Sequence, residues 1–171
     1  EDYRLKWPDF YLPTQHVYIL TVRPTKDILG NLVSRLEKSR TAIDQGISNL
    51  SRPEANPPLL WSRMAIEAAK GGLTFLDTLP NIPKVREAVR KPERLLTAIG
   101  KAKDAVQHFL EFIERDLLPR SRGVYAVGEE HYHLLLKKRH FLNHDAQGLL
   151  ALGESLFETT KKELAALAAE I

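Results

Sequence analysis

The histidines His140 and His144 have the spacing of a known catalytic motif, the zinc helix His-Glu-x-x-His. In that motif both imidazoles lie on one helical face and bind zinc, and the Glu acts on the zinc-bound water. Phe141 stands at the Glu position, and residues 143–145, Asn-His-Asp, have the composition of a helix cap. Because such a cap would remove the shared face, we interpret both histidines as structural or capping residues.

The other patterns associated with catalysis or metal binding are incomplete. Glu130 and His133 form a single Glu-x-x-His element, which di-iron helical proteins use in pairs, and a second copy is missing. His131 and His133 are two residues apart and would diverge on a helix. The chain has no cysteine, which excludes thiolate catalysis and cysteine-bound metals, and the glycine motifs of nucleotide sites and serine hydrolases do not occur. The residues alone therefore predict no catalytic group, no metal ligand and no cofactor in this chain.

The positive charge is concentrated in one region. Residues 119–144 contain five Lys or Arg and two Glu, which accounts for the whole net charge of +3, and they hold four of the six histidines. A helix that starts after Gly128 would offer free N–H groups to an anion. The competing interpretation, which we favour, is a solvated face on which Lys137, Lys138 and Arg139 complement the carbonyl end of a short helix.

The charge pattern argues against nucleic acid as a partner. A binding surface needs a stripe of Lys and Arg that neutralises several phosphates, whereas the predicted long helices carry both signs of charge and the last one, from Asp145 onward, is acidic. No run approaches the roughly 20 apolar residues of a membrane span, and no secretory signal opens the chain, so we expect a soluble chain without a membrane partner. The lack of cysteine suits either redox environment and leaves the compartment open.

Prolines and apolar spacing define the helices that must position these residues. Apolar residues recur every three or four positions between the prolines, which is typical of amphipathic helices. We predict an all-α fold, an antiparallel bundle of about four long helices plus one or two short ones. Residues 1–24 form an irregular or short helical lead-in, and residues 25–171 form the bundle. The predicted helices run from Thr25 as N-cap, with Asp27 in the first turn, to Leu50; from Pro58 to Leu79; from Pro92 to Leu118; over a short stretch after Gly128; and from Asp145 onward.

Three local features complete the predicted fold. The apolar run over residues 17–22 is rich in β-branched residues, but it lacks a second strand as partner, so we expect a short buried helix or an extended strap. Gly71 and Gly72, in the middle of a predicted helix, indicate a close helix crossing or a kink. Four aromatic residues on apolar stripes are predicted in the core: Trp61, Phe75, Phe109 and Phe157.

Four short patterns, in this order, resemble one family. They are MAIEAAKGGLTFL from Met64, FLEFIERDLLPR from Phe109, VGEEHY from Val127 and GLLALGE from Gly148. Together they resemble the bacterial domain-of-unknown-function family numbered 885. The resemblance covers most of the chain after about Pro24, and it is clearest from Phe109 onward.

The resemblance implies a largely α-helical protein that is longer than this chain and similar in architecture to helical zinc carboxypeptidases and oligopeptidases. The family's His-Glu-x-x-His motif lies well downstream, so none of its metal ligands has a matching position here. We therefore expect the N-terminal helical region of a zinc peptidase-like hydrolase, part of a larger protein, which lacks the metal-binding motif and is inactive by itself. Zinc and the peptide substrate would belong to the full-length parent, and the partner of this chain would be the remainder of that parent or another helical surface.

The residues that the family pattern makes candidates for a ligand site or a substrate wall surround the predicted turn before the last two helices. These candidates are Arg120, Arg122, Gly128, His131 and Tyr132. A rival interpretation is a self-contained helical module that binds another protein through its grooves. A third is an anion or nucleic-acid binder that uses the region from Arg120 to Arg139.

Overall fold

The computed structural model describes residues 2–23, 27–88, 92–126 and 128–169. Regular structure in these ranges is helical apart from an isolated bridge between Pro58 and Gly123, which confirms the predicted all-α class. The antiparallel order of the bundle stays a prediction. The α-helices are α1 (Thr14–Val22), α2 (Ile28–Glu37), α3 (Ser39–Leu50), α4 (Leu59–Thr78), α5 (Pro83–Ala88), α6 (Glu93–Phe112), α7 (Glu129–Lys138) and α8 (Ala146–Ala169). Short 3-10 helices lie at Tyr3–Leu5, Pro8–Tyr11, Leu79–Asn81 and Leu118–Arg120, and a π-helical turn lies at Ile113–Leu117.

The chain divides into two compact units, unit 1 over Glu1–Val124 and unit 2 over Tyr125–Ile171. In unit 1, α6 packs against α2, α3 and α4 and contributes to two buried clusters. Its first half supplies Leu95 and Ala102 to the cluster that contains Leu36, and its second half supplies Phe109 to the cluster that contains Ile43. The apolar spacing of three and four residues along α6 places all of these side chains on one stripe, so one helix serves both cores.

The first predicted long helix is two helices, α2 and α3, joined at Lys38. This break lets Leu36 face one buried cluster and Ile43 the other. The predicted N-cap Thr25 lies outside the described residues. Asp27, which we had placed in the first turn, is the N-cap of α2, because its Oδ1 accepts a hydrogen bond from the Gly30 N–H at 2.9 Å.

The run over residues 17–22 lies in α1, so of the two expected forms it takes the short helix; this helix is buried on one side only, since Val17 is fully buried and Tyr18 and Val22 are exposed. Helix α4 is continuous through Gly71 and Gly72, so the pair makes no break in it. A β-carbon on Gly72 would lie 2.8 Å from Thr14 Oγ1, whereas one on Gly71 would meet nothing within 4 Å. The predicted close crossing is therefore confirmed at Gly72, where α1 approaches α4.

Unit 2 contains α7 and α8, which pack against each other. No described residue of α8 is buried, and Phe157 is 67% exposed, so the prediction that Phe157 belongs to the core is wrong. The apolar stripe of α8 is present as predicted, but α7 does not cover it. Among the described helices, none combines the length and the apolarity that a membrane crossing requires.

Candidate functional site

The start of α7 is built on Gly128, which has a positive φ of 84°. Glycine adopts this conformation without the steric cost that a β-carbon would add. The Gly128 carbonyl accepts the first helical hydrogen bond, from the Tyr132 N–H at 3.0 Å. Glu129 and Glu130 occupy the first turn, where their carboxylates complement the positive end of the helix dipole. The helix start that we considered for an anion therefore carries negative side chains of its own.

The link between α7 and α8 depends on His133. Its Nε2 accepts a hydrogen bond from the Ala146 N–H at 2.9 Å, at the first residue of α8. The same Nε2 lies 3.8 Å from Glu129 Oε1, a contact that is an ion pair only when the imidazole is protonated. A nitrogen that accepts a hydrogen bond needs a free lone pair, so Nε2 is the acceptor in this contact and the Ala146 N–H is the donor. His133 is thus a cap of α8, a role that sequence reasoning missed.

The loop between the two helices holds His140 and His144. Both histidines lie outside any helix, and Phe141 between them has a φ of 55°. Asp145 Oδ1 accepts a hydrogen bond from the Gly148 N–H at 2.6 Å, which confirms the predicted cap at the start of the last helix. In the described part of the chain, no three His, Asp or Glu side chains come together as metal ligands. The His, Asp and Glu side chains of the described residues therefore do not fit a zinc site.

Tyr132 borders an apolar groove along the α7–α8 hairpin. The groove has a volume of about 830 Å³, and Leu149, Leu150 and Phe157 line it together with Glu154 and Glu158. A second groove of about 730 Å³ also reaches Tyr132 and Leu150, and it includes Tyr125 and Gly128. The arrangement offers an apolar surface, a phenol hydroxyl and two carboxylates, which suits binding of an apolar chain with a neighbouring cation.

The five candidate residues are divided between the two units. Gly128 and Tyr132 share one groove of unit 2, and His131 lines another, of about 680 Å³, with Gly128 and His133. Arg120 and Arg122 belong to unit 1. Of the predicted set, Gly128 and Tyr132 thus share a groove, whereas His131 lines a different one.

The guanidinium of Arg120 is hydrogen-bonded to backbone carbonyls. Its guanidinium donates to the carbonyl of Leu50, to that of Ala55 at 3.3 Å and to that of Asp116 at 3.2 Å. Leu50 ends α3, and the last carbonyls of a helix lack partners within the helix. Arg120 therefore ties the end of α3 to the segment that follows α6. The backbone N–H of Arg122, by contrast, donates a hydrogen bond to Asn56 Oδ1 at 3.0 Å.

Replacing Arg120 with Ala should lower the free energy of unfolding of unit 1 by about 1–3 kcal/mol, because carbonyls that share one charged donor lose it together. Arg120→Lys should not restore the loss, since one ammonium cannot reproduce the planar fork of the guanidinium. Urea denaturation measures the effect, and Arg63→Ala, at an exposed position of α4, is the control. Equal stability of Arg120→Ala and the control would contradict the structural role.

Shifted pKa values occur in the N-terminal segment of unit 1. Hydrogen bonds from Arg4 lower the pKa of Asp2 to about 2, and the same pairing raises the pKa of Arg4. Burial raises the pKa of the Asp9 carboxyl and of the Tyr11 phenol. The Tyr11 hydroxyl donates to the Arg4 carbonyl and accepts from Asn49, both at 2.9 Å. These contacts join the first residues of the chain to α3.

Comparison with known proteins identifies a family. Residues 6–171 match the family described as Bacterial protein of unknown function (DUF885). No curated protein and no solved structure gives a match. Because the family match covers almost the whole chain, including the α7–α8 hairpin, this chain belongs to the DUF885 family of bacterial proteins of unknown function.

Proposed function

We propose that this chain is a helical, non-catalytic portion of a zinc peptidase-like hydrolase, and that its α7–α8 hairpin forms one wall of the substrate cleft. The groove beside Tyr132 is the observation that carries the proposal. The reaction class is supported by the resemblance to the DUF885 family, which implies an architecture similar to that of helical zinc peptidases. The metal would be held by residues outside this chain, because the His-Glu-x-x-His motif that the family resemblance implies has no matching position in its sequence.

The chemistry of the groove supports a peptide as its occupant. Leu149, Leu150 and Phe157 give the groove an apolar lining, and Tyr132, which is 38% exposed, lines the same groove. Glu154 and Glu158 line the same groove and favour a positively charged neighbour. A peptide segment with an apolar side chain next to Lys or Arg combines both features.

Tyr132→Phe in the natural protein that contains this chain should reduce kcat/KM for hydrolysis of quenched-fluorescent peptides by about 3–10-fold. The loss corresponds to one hydrogen bond to substrate, worth about 0.5–1.5 kcal/mol. The melting temperature should stay within about 1 °C, because the phenol ring and its packing remain.

Tyr18→Phe is the matched control, since Tyr18 is an exposed tyrosine of unit 1. It should leave kcat/KM unchanged. A Tyr132→Phe protein with unchanged kcat/KM on every peptide would show that Tyr132 is not part of the substrate wall.

A second candidate function is a self-contained helical interaction module. The exposed apolar face of α8 favours it, because wide apolar faces of helices are normally covered. The two candidates differ in what the natural protein does. The hydrolase proposal requires zinc-dependent peptide hydrolysis, whereas the module requires only binding through α8.

A further inference from the structure

Unit 1 has a polar pocket beside the break between α2 and α3. Its volume is about 540 Å³, which is within the range of small-molecule sites. The lining comes from α2, from α3, from His16 of α1 and from residues 10–13, which precede α1. All of these residues belong to unit 1, so the pocket shares no residue with the groove beside Tyr132.

Helix α2 contributes a polar stripe to this pocket. The stripe recurs at helical spacing within a sector of roughly 100°, and its members are Asn31, Ser34, Arg35 and Lys38. Leu32 and Leu36, on the other side of α2, are buried. Because the buried side fixes the rotation of the helix, the polar stripe is held in the wall of the pocket.

The two cations of this stripe are unpaired in the part of the chain that the structure describes. No acidic side chain there forms an ion pair with Arg35 or Lys38, and none lines the pocket. The carboxylates nearest in sequence are engaged elsewhere, in the cap of α2 and in ion pairs with Arg94 and Arg40; they are Asp27, Glu37 and Asp44. The pocket therefore carries two positive charges that no described carboxylate of unit 1 balances.

Residues 10–13 add an apolar lining to the pocket. Tyr11 is buried, whereas Phe10 is 46% exposed. The Tyr11 ring lies close to α3, because a β-carbon on Gly46 would be 2.6 Å from Tyr11 Cγ. The Tyr11 hydroxyl also accepts a hydrogen bond from Asn49 of α3 at 2.9 Å. These contacts hold the apolar lining in the same pocket as the cations.

The combination fits an anion that has an apolar part. A guanidinium binds a carboxylate or phosphate through two parallel hydrogen bonds, and an ammonium adds a second positive charge. We propose that this pocket binds a small organic anion, whose phosphate or carboxylate group contacts Arg35 and Lys38 and whose apolar part packs against Phe10. Ser34 and Gln45 also line the pocket and supply further hydrogen-bond donors. Anion binding by unit 1 is independent of the proposed function and is measured without any peptide substrate.

Calorimetric titration of the 171-residue chain tests the site, with phenyl phosphate and benzoate as the probes. At least one of these anions should bind, one molecule per chain, with a Kd below about 1 mM. Tighter binding of phenyl phosphate or of benzoate identifies the preferred anionic group, and either result supports the proposal. Benzyl alcohol, which has the ring and no charge, should bind at least about 10-fold more weakly. No binding of either anion up to about 10 mM, or equal binding of benzyl alcohol, would overturn the proposal.

Substitution of the cations tests their role. Arg35→Gln should raise the Kd of the tighter-binding anion at least about 10-fold, because a charge-assisted pair of hydrogen bonds is lost. Lys38→Gln should raise this Kd about 3-fold, since a single exposed ion contact is lost. Arg63→Gln is the matched control, because it removes the same charge from an exposed position of α4 that does not line the pocket.

The control should change the Kd less than about 2-fold, because charges beyond about 10 Å are screened by salt. Equal changes for Arg35→Gln and Arg63→Gln would show attraction by net charge alone and overturn the site. Circular dichroism verifies that the variants keep their helix content.

Phe10→Ala tests the contact with the apolar part of the ligand. The unaltered chain should bind the tighter of the two ring-bearing anions more strongly than its ring-free counterpart, which is inorganic phosphate or acetate. Phe10→Ala should remove most of this preference, because Phe10 supplies apolar surface to the pocket. No preference in the unaltered chain, or an undiminished preference in Phe10→Ala, would overturn the proposed contact.

Discussion

Phe109→Ala should lower the free energy of unfolding of unit 1 by about 3–5 kcal/mol, the range found when a fully buried aromatic is truncated. The Phe109 side chain is completely buried. Its ring is stacked on Phe112 with centroids 6.1 Å apart and meets Tyr11 edge-on at 6.5 Å. The alanine variant loses these contacts and leaves a cavity between α6 and the 3-10 helix that contains Tyr11. A loss of this size is a large fraction of the 5–15 kcal/mol that typically stabilises a domain.

Tryptophan fluorescence in urea measures this loss selectively. The two tryptophans of the chain, Trp7 and Trp61, both belong to unit 1, and their ring centroids are 6.3 Å apart. Leu96→Ala is the control, because Leu96 is exposed on the same helix, α6. It should cost less than about 1 kcal/mol. Similar losses for the two variants would contradict the placement of Phe109 in the core.

The adjacent glycines of α4 should respond in opposite directions to the same substitution. Gly72→Ala should destabilise unit 1 by about 1–3 kcal/mol, because the new β-carbon would lie 2.8 Å from Thr14 Oγ1 and 2.9 Å from its Cγ2. Thr14 is buried, so it has little room to withdraw. Gly71→Ala should stabilise unit 1 by about 0.5–1 kcal/mol, since the position is open and alanine favours the helix.

Urea denaturation of the two variants side by side provides its own control, because the sites are neighbours on one helix. The difference between them should be about 1.5–4 kcal/mol. Stabilisation by Gly72→Ala, or equal effects at both sites, would show that α1 does not cross α4 closely at Gly72.

The helices of this chain could be predicted from the sequence because apolar spacing and capping residues lie within each helix or next to it. Apolar spacing places α6, and Asp145 marks the start of α8 by the cap that it forms. The break at Lys38 could not be predicted, because apolar residues continue at helical spacing on both sides of it. Its cause is that Leu36 and Ile43 belong to different buried clusters, which is a property of the whole unit.

The candidate site was predictable only in part for the same reason. Gly128 and Tyr132 were recognised from a contiguous pattern, and they do share a groove. The cap that His133 provides for Ala146 joins residues 13 positions apart across a loop, and the bonds of Arg120 reach back to carbonyls of Leu50 and Ala55. Such contacts depend on how the chain returns on itself. The exposure of Phe157 likewise depends on which surface covers α8, and spacing alone does not specify it.

The most direct test of the proposed function is zinc-dependent hydrolysis of a quenched-fluorescent peptide pool by the natural protein, compared with the isolated 171-residue chain. The proposal predicts that the natural protein hydrolyses peptides, loses this activity on chelation and regains it with zinc, while the isolated chain is inactive throughout. Hydrolysis by the isolated chain, or a natural protein that hydrolyses no peptide in the presence of zinc, would contradict it.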